Sequence, residues 1–317
     1  MIKLGVVYAL AGAMFAAFAV LSALDRHNPK RFGNTAFWGL VAASFLAGDR
    51  LGDLGNGVLV LGLALIAGLG FLGRGAPSST TPAERRVLAE RFGGRLFIPA
   101  LTLPLVVVVG VFILKPLSVH GQPLLDPKQA TLISLALAAV IAVAVALVIL
   151  RQPLISPLQE GRRLMDTVGW AALLPQMLAA LGAVFALAGV GKVVGDLVTG
   201  YLPMDTRLAA VAVYCLGMAG FTMIMGNAFA AFPVLTAGVG VPVLIHHFGG
   251  HPATVCAIGM LSGFCGTLMT PLAANFNLVP PALLELPDRY AVIKAQIPTA
   301  IPLLLANMVL MYVLAFR

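Results

Sequence analysis

Charge is what this chain has least of. Asp, Glu, Lys and Arg make up 10% of its 317 residues, where soluble globular domains carry about 25%, and that deficit excludes a soluble fold. Cysteine is almost missing: Cys215, Cys256 and Cys265 lie inside apolar runs without paired spacing. Neither a disulfide framework nor a metal site follows, and the three thiols read as small packing residues. Acidic residues number 12 against 20 basic ones, yet the basic residues sit in short connections and form no continuous face, so no nucleic-acid partner is expected. A Walker-type phosphate loop, HExxH and GxSxG are all absent from the sequence. With them go ATPase, metalloprotease and serine hydrolase chemistry, and the chain reads as a non-enzyme without a resident cofactor.

What is there is apolar, at 60% of residues. The composition predicts an all-α polytopic membrane protein of about nine to ten membrane segments. Lys3 followed by roughly 20 apolar residues is too long for a signal-peptide core and reads as a retained first span. Further spans fall at residues 35–48, 57–73, 96–114 and 131–150, after the first at 4–24. Connections on one side hold Arg26, Lys30, Arg31, five arginines in residues 74–95, and Arg151, Arg162 and Arg163. The other side holds only Lys3, Arg50, Lys115 and Lys128. That bias places the first set in the cytoplasm and the N-terminus outside the inner membrane. Within the basic loop, Thr81 followed by Pro82 predicts a capped amphipathic helix, lying on the membrane surface or serving as a solvated linker.

Two halves follow: residues 1–165, five spans acting as scaffold or oligomerisation half, and 166–317, the half that carries the interruptions. Residues 166–203 run apolar too long for one straight crossing, with Gly189 and Gly191 in the middle. A re-entrant hairpin with its tip at 189–191 accounts for both. Lys192 and Asp196, spaced i, i+4, pair on one helical face, either as weak ion-coupling candidates at membrane depth or as an interfacial pair. The stretch 207–247 is also too long for one crossing, and predicts a broken helix or two spans meeting in a tight apolar corner at 226–233. Spans at 253–271 and 297–316 close the chain, around an outlying segment at 275–294.

Interruptions of a membrane helix are tolerated where they face protein or line a cavity, and half-helix ends there hold small ions and anions. The side chains around the expected breaks are Asn227, Thr267, Thr270, Asn275 and Asn277, with Gln176 in the earlier segment. All are neutral donors and acceptors, suited to recognising a small carboxylate or amide. Thr236 and Ser262 read as helix glue. His246, His247 and His251 flank Gly249, Gly250 and Pro252 and read as a turn.

The motifs LPQMLAALGAVFALAGVGKVVG, GNAFAAFPVLTAGVGVPVL and LSGFCGTLMTPLAANFNLVPPALLEL resemble a bacterial family of membrane proteins regarded as the larger subunit of a two-component pyroglutamate (oxoproline) transporter. More distantly, a hairpin followed by a broken helix resembles one repeat of the ion-transporter superfamily. The resemblance implies a subunit of a secondary active carrier for a small organic anion, pyroglutamate, working by an elevator-like movement with Na+ or H+ as coupling ion. The superfamily uses two inverted repeats and this chain offers one. A smaller membrane subunit is therefore implied as partner in a hetero-oligomer, with a homodimer as the alternative. An accessory or scaffold subunit and a gated channel are the rival readings.

Overall fold

The computed structural model describes residues 2–73, 81–119, 122–201, 204–284 and 286–317. Residues 74–80 of the basic loop and Pro203 of the expected connection lie outside them. Apart from a ladder of two-residue strands, Ser118–Val119 with Gln122–Pro123, the described elements are helical. Among the described residues, eight helical stretches are long and apolar enough to cross a bilayer. The protein is thus a multi-pass α-helical membrane protein. It divides into two compact units, Met1–Gly169 and Trp170–Arg317.

In the first unit, α1 (Leu4–Leu24) packs against α2 (Arg31–Gly68). A straight helix of 38 residues would span about 57 Å. Instead Gly52, at φ 63° and ψ −176°, breaks it, and its two arms run back along each other. A Cβ on Gly62 would touch the Leu40 side chain, and one on Gly33 would collide with the Phe71 carbonyl. The sequence-expected spans 35–48 and 57–73 are these two arms. Phe15 stacks on Trp38 and on Phe45, with ring centroids 5.7 Å apart in both pairs, and Phe18 meets Trp38 edge-on, which fixes α1 on the first arm.

The helix α3 (Pro82–Phe92) begins with the Thr81 cap expected from its sequence, which Glu84 completes into a capping box. Thr81 Oγ1 accepts from Glu84 N at 3.2 Å, and Thr81 N donates to Glu84 Oε2 at 2.7 Å. α4 (Phe97–Val109), extended by a π turn at Gly110–Leu114, packs on α5 (Ala130–Leu150). The amphipathic α6 (Ser156–Val168) ends the unit at Gly169, φ 58°. It docks by its Arg162 and Asp166 side chains, both buried.

The second unit holds α7 (Leu174–Leu187), α8 (Val190–Tyr201), α9 (Arg207–Met225) and α10 (Ala228–Leu235), which continues as a π-helical stretch Thr236–His247. After it come α11 (Pro252–Leu268), the short α12 (Ala274–Asn277) and α13 (Val279–Leu283), and α14 (Ala291–Leu314). Interruptions stand at both places expected in this half, near Gly226 and at Gly189. At Gly226 (φ 74°) the chain reverses: Gly217 lies against Leu235, and Tyr214 against Thr236 and Gly240, so α9 and α10 form an antiparallel helical hairpin. This is the tight corner, the second of the two sequence readings.

At Gly189 (φ 69°) the chain bends but does not reverse. Gly182 faces Ala230, Gly191 faces Val234 and Gly195 faces Gly238. Both contact series rise together, so α7 and α8 form one interrupted helix running parallel to α10 and its continuation. The hairpin expected at 189–191 is therefore corrected to a broken helix. The reason is the Gly191-Lys-Val-Val-Gly195 stripe, which lets the α8 backbone lie directly on the backbone at Gly238 and holds it in line.

Around these elements Tyr214, Met218, Leu244, Val255 and Met311 form a dry core. Gly240 and Gly259 leave the room that the Tyr214 ring fills.

Candidate functional site

The stretch Ala228–His247 has twenty residues, about 30 Å at 1.5 Å per residue, one bilayer core. Its middle is disturbed. Pro233 and Pro242 have no N–H to donate, and from Thr236 through His247 the turns open to π geometry. The break at Gly189 faces this disturbed segment. Beside their backbone contact lies an open cleft of about 540 Å3, lined by Gly189, Gly191, Lys192, Gly195 and Asp196 and by Pro233, Ala237, Gly238 and Pro242. Lys192 and Asp196, both exposed, are the only charged residues between Asp166 and Asp205. Charges at membrane depth belong to cavities and pathways. Two opposed helix interruptions with a cation and a carboxylate one turn apart offer both poles to a small polar solute.

The neutral residues read from the sequence stand elsewhere. α9 is long enough to cross the core, so the Gly226–Asn227 corner lies at one end of the unit and not at mid-depth. Asn227, nearly buried, caps α10 by accepting from Phe229 N at 2.8 Å. Thr270 Oγ1 donates to Met223 O at 2.8 Å and accepts from Leu272 N at 3.2 Å. Asn277 Nδ2 donates to Thr267 O at 2.8 Å and Thr270 O at 2.7 Å, closing the end of α11. The Thr267 hydroxyl turns back to Gly263 O within its own helix.

Thr270 and Asn277 thus lock the corner at the end of α11, Thr270 tying it to the end of α9, while Asn227 caps α10 and the Thr267 hydroxyl stays within α11. Asn275 is half-buried on α12, which packs against α7, and Gln176 is exposed in the first turn of α7 at the same end. Of the expected glue residues, Thr236 bonds the Tyr214 hydroxyl at 2.9 Å, and Ser262 donates to Ile258 O of its own helix while also interacting with the Cys215 thiol of α9. The histidine segment is a turn, with Gly249 at φ 70° and His251 N bonded to Ala315 O at 2.7 Å.

A polar cluster in the first unit was not singled out by the sequence reading. Arg162 donates through Nη1 and Nη2 to Asp25 Oδ2, both at 3.1 Å, and through Nη1 to Leu21 O. One turn on, Asp166 Oδ1 accepts from Trp38 Nε1 at 2.8 Å and Asn34 Nδ2 at 3.0 Å. Asn34 also exchanges two hydrogen bonds with the Gly73 backbone. Burial pushes the Asp166 carboxyl above its ordinary value, against the opposing pull of the Trp38 bond and of Arg162. The i, i+4 spacing of Arg162 and Asp166 on an amphipathic segment was the available signal. In sequence both count as ordinary loop charge.

The fold and the cleft together define a multi-pass α-helical membrane protein whose second unit holds a largely apolar cleft, with one lysine and one aspartate in its lining, beside interrupted helices. Its family follows from sequence: residues 5–316 match a family model, and the chain belongs to that family, described as "Protein of unknown function (DUF979)". No curated protein and no solved structure matches the chain.

Proposed function

We propose that this chain is a subunit of a secondary active transporter of the bacterial inner membrane, taking a small organic anion of the pyroglutamate class. The supporting observation is the cleft, where the two charges of an otherwise uncharged stretch line opposed helix interruptions at the middle of a bilayer-length segment. Lys192 attracts the carboxylate, and Asp196 accepts from an N–H or holds the coupling ion. A carrier needs such a site reachable from both faces in turn, and interrupted helices supply segments that can shift without breaking whole spans. The partner is a smaller membrane subunit, and a second copy of this chain is the alternative. Thr270 and Asn277 then act by holding the corner at the end of α11, and Asn227 by capping α10.

The test is uptake of labelled pyroglutamate by cells expressing this chain with its partner. One lost charge-assisted contact is worth about 1.5–3 kcal/mol, so Lys192→Gln and Asp196→Asn each lower uptake at limiting substrate by about tenfold or more at equal abundance. Unchanged uptake in both variants removes the cleft from the transport path. Variants that alter only co-purification with the partner speak for the scaffold reading, and non-saturating flux speaks for a channel.

A further inference from the structure

Lys192 and Asp196 bring one charge of each sign to the same cleft, and their sum is zero. The Lys192 ammonium forms no ion pair among the described residues. Charge taken out of water is costly unless it is paired, so a solute entering here is selected by the charge it leaves unmatched. A monoanion pairs with Lys192 and leaves the liganded cleft with one negative charge in excess, which a co-bound cation or proton must offset. A zwitterion matches both poles at once and leaves no excess.

Spacing and size narrow the class. The two residues are four apart on α8, an axial separation of about 6 Å at 1.5 Å per residue. An extended dipeptide spans at most about 7 Å, so its terminal ammonium and carboxylate are spaced like the two side chains that would receive them. In a single α-amino acid both charged groups share one carbon and sit closer together. The cleft holds about 540 Å3, whereas pyroglutamate fills about half of that even if each of its heavy atoms claims the ~30 Å3 of a liquid water. The rest of the lining is glycine, alanine and proline. Such a lining leaves backbone open to a peptide unit and gives small side chains an apolar surface, and it offers a third charge nothing.

We infer that the cleft also takes a small zwitterion of dipeptide size with uncharged side chains, its carboxylate on Lys192 and its ammonium on Asp196. The inference rests on the cleft that carries the transporter reading and adds a second substrate class to it. A solute with both charges binds there without a co-ion, unlike pyroglutamate in the same place.

The experiment is equilibrium binding of radiolabelled alanylalanine to the purified full chain in sodium-free buffer, with N-acetyl-alanylalanine and alanylalanine amide as competitors. The first analogue lacks the ammonium and the second the carboxylate. Saturable binding is expected, with each analogue weaker than alanylalanine by about tenfold or more. Both charged positions are exposed, so substitution there keeps the fold. In Lys192→Gln the penalty for losing the carboxylate disappears, and in Asp196→Asn the penalty for losing the ammonium does. Absence of saturable binding, or analogues that bind as tightly as alanylalanine, overturns the inference. Pyroglutamate uptake by cells expressing the chain with its partner separates the two readings. Uptake without alanylalanine binding keeps the anion carrier and removes the zwitterion, whereas alanylalanine binding without pyroglutamate uptake does the reverse.

Discussion

Asp166 shows how a single side chain ties together the first unit. Its Oδ1 gathers Trp38 and Asn34, and its Oδ2 is buried without a partner, so the ionised form is only half satisfied. Because burial raises its pKa, the carboxyl contributes stability that is present at low pH and is lost as pH rises through the raised value, above the usual carboxylate value of about 4. Thermal midpoints of the wild-type chain in detergent should therefore fall as pH rises through that window. Asp166→Asn, which mimics the protonated form, should flatten this part of the profile. The neighbouring Arg162–Asp25 pair behaves differently, since each partner leaves the other as an uncompensated buried charge. Asp25→Ala should cost about 3–5 kcal/mol, read as a fall in midpoint larger than that of any Asp166 variant.

Site residues were the least legible part of the sequence for the same physical reason. Asn277 and Thr270 stand in a Gly- and Pro-rich corner, as a ligand-binding residue would. Whether an amide faces a solute or caps a helix depends on which carbonyls the tertiary fold brings to it. Lys192 and Asp196 could be named from their isolation in an apolar run, but the opposing wall at Pro233–Pro242 comes from a segment some 40 residues away.

At the scale of elements, helices whose limits are set by apolar length were readable: α1 and α5 begin and end within a residue of the expected spans. The cap of α3 was readable because it is local chemistry. The turn at Gly189 was not, because a glycine at positive φ permits both reversal and continuation, and the choice lies in the fit of α8 against the Gly238 backbone. That fit makes a signed prediction. A Cβ on Gly195 meets Gly238 O at 2.5 Å, whereas one on Gly200, further along α8, meets nothing within 4 Å. Gly195→Ala should destabilise by about 1–3 kcal/mol through overpacking. Gly200→Ala should be neutral or stabilise by up to about 1 kcal/mol through helix propensity. Thermal midpoints of the two variants, measured side by side, should move in opposite directions or differ by that margin.

For the whole molecule, the charge bias across connections predicts residues 74–95 in the cytoplasm and the N-terminus outside, an expectation that reporter fusions at residue 80 and at the N-terminus test directly. The central claim is that the cleft between α8 and the Pro233–Pro242 segment receives the transported anion. Ala237 lines that cleft and is exposed, while Cys215 and Cys265 are buried. The measurement is the rate at which a water-soluble thiol reagent modifies Ala237→Cys in the chain assembled with its partner, with the unsubstituted chain as background. The account predicts that pyroglutamate slows this modification saturably and that Lys192→Gln abolishes the protection. A rate indifferent to pyroglutamate, in a complex that still transports it, would contradict the account.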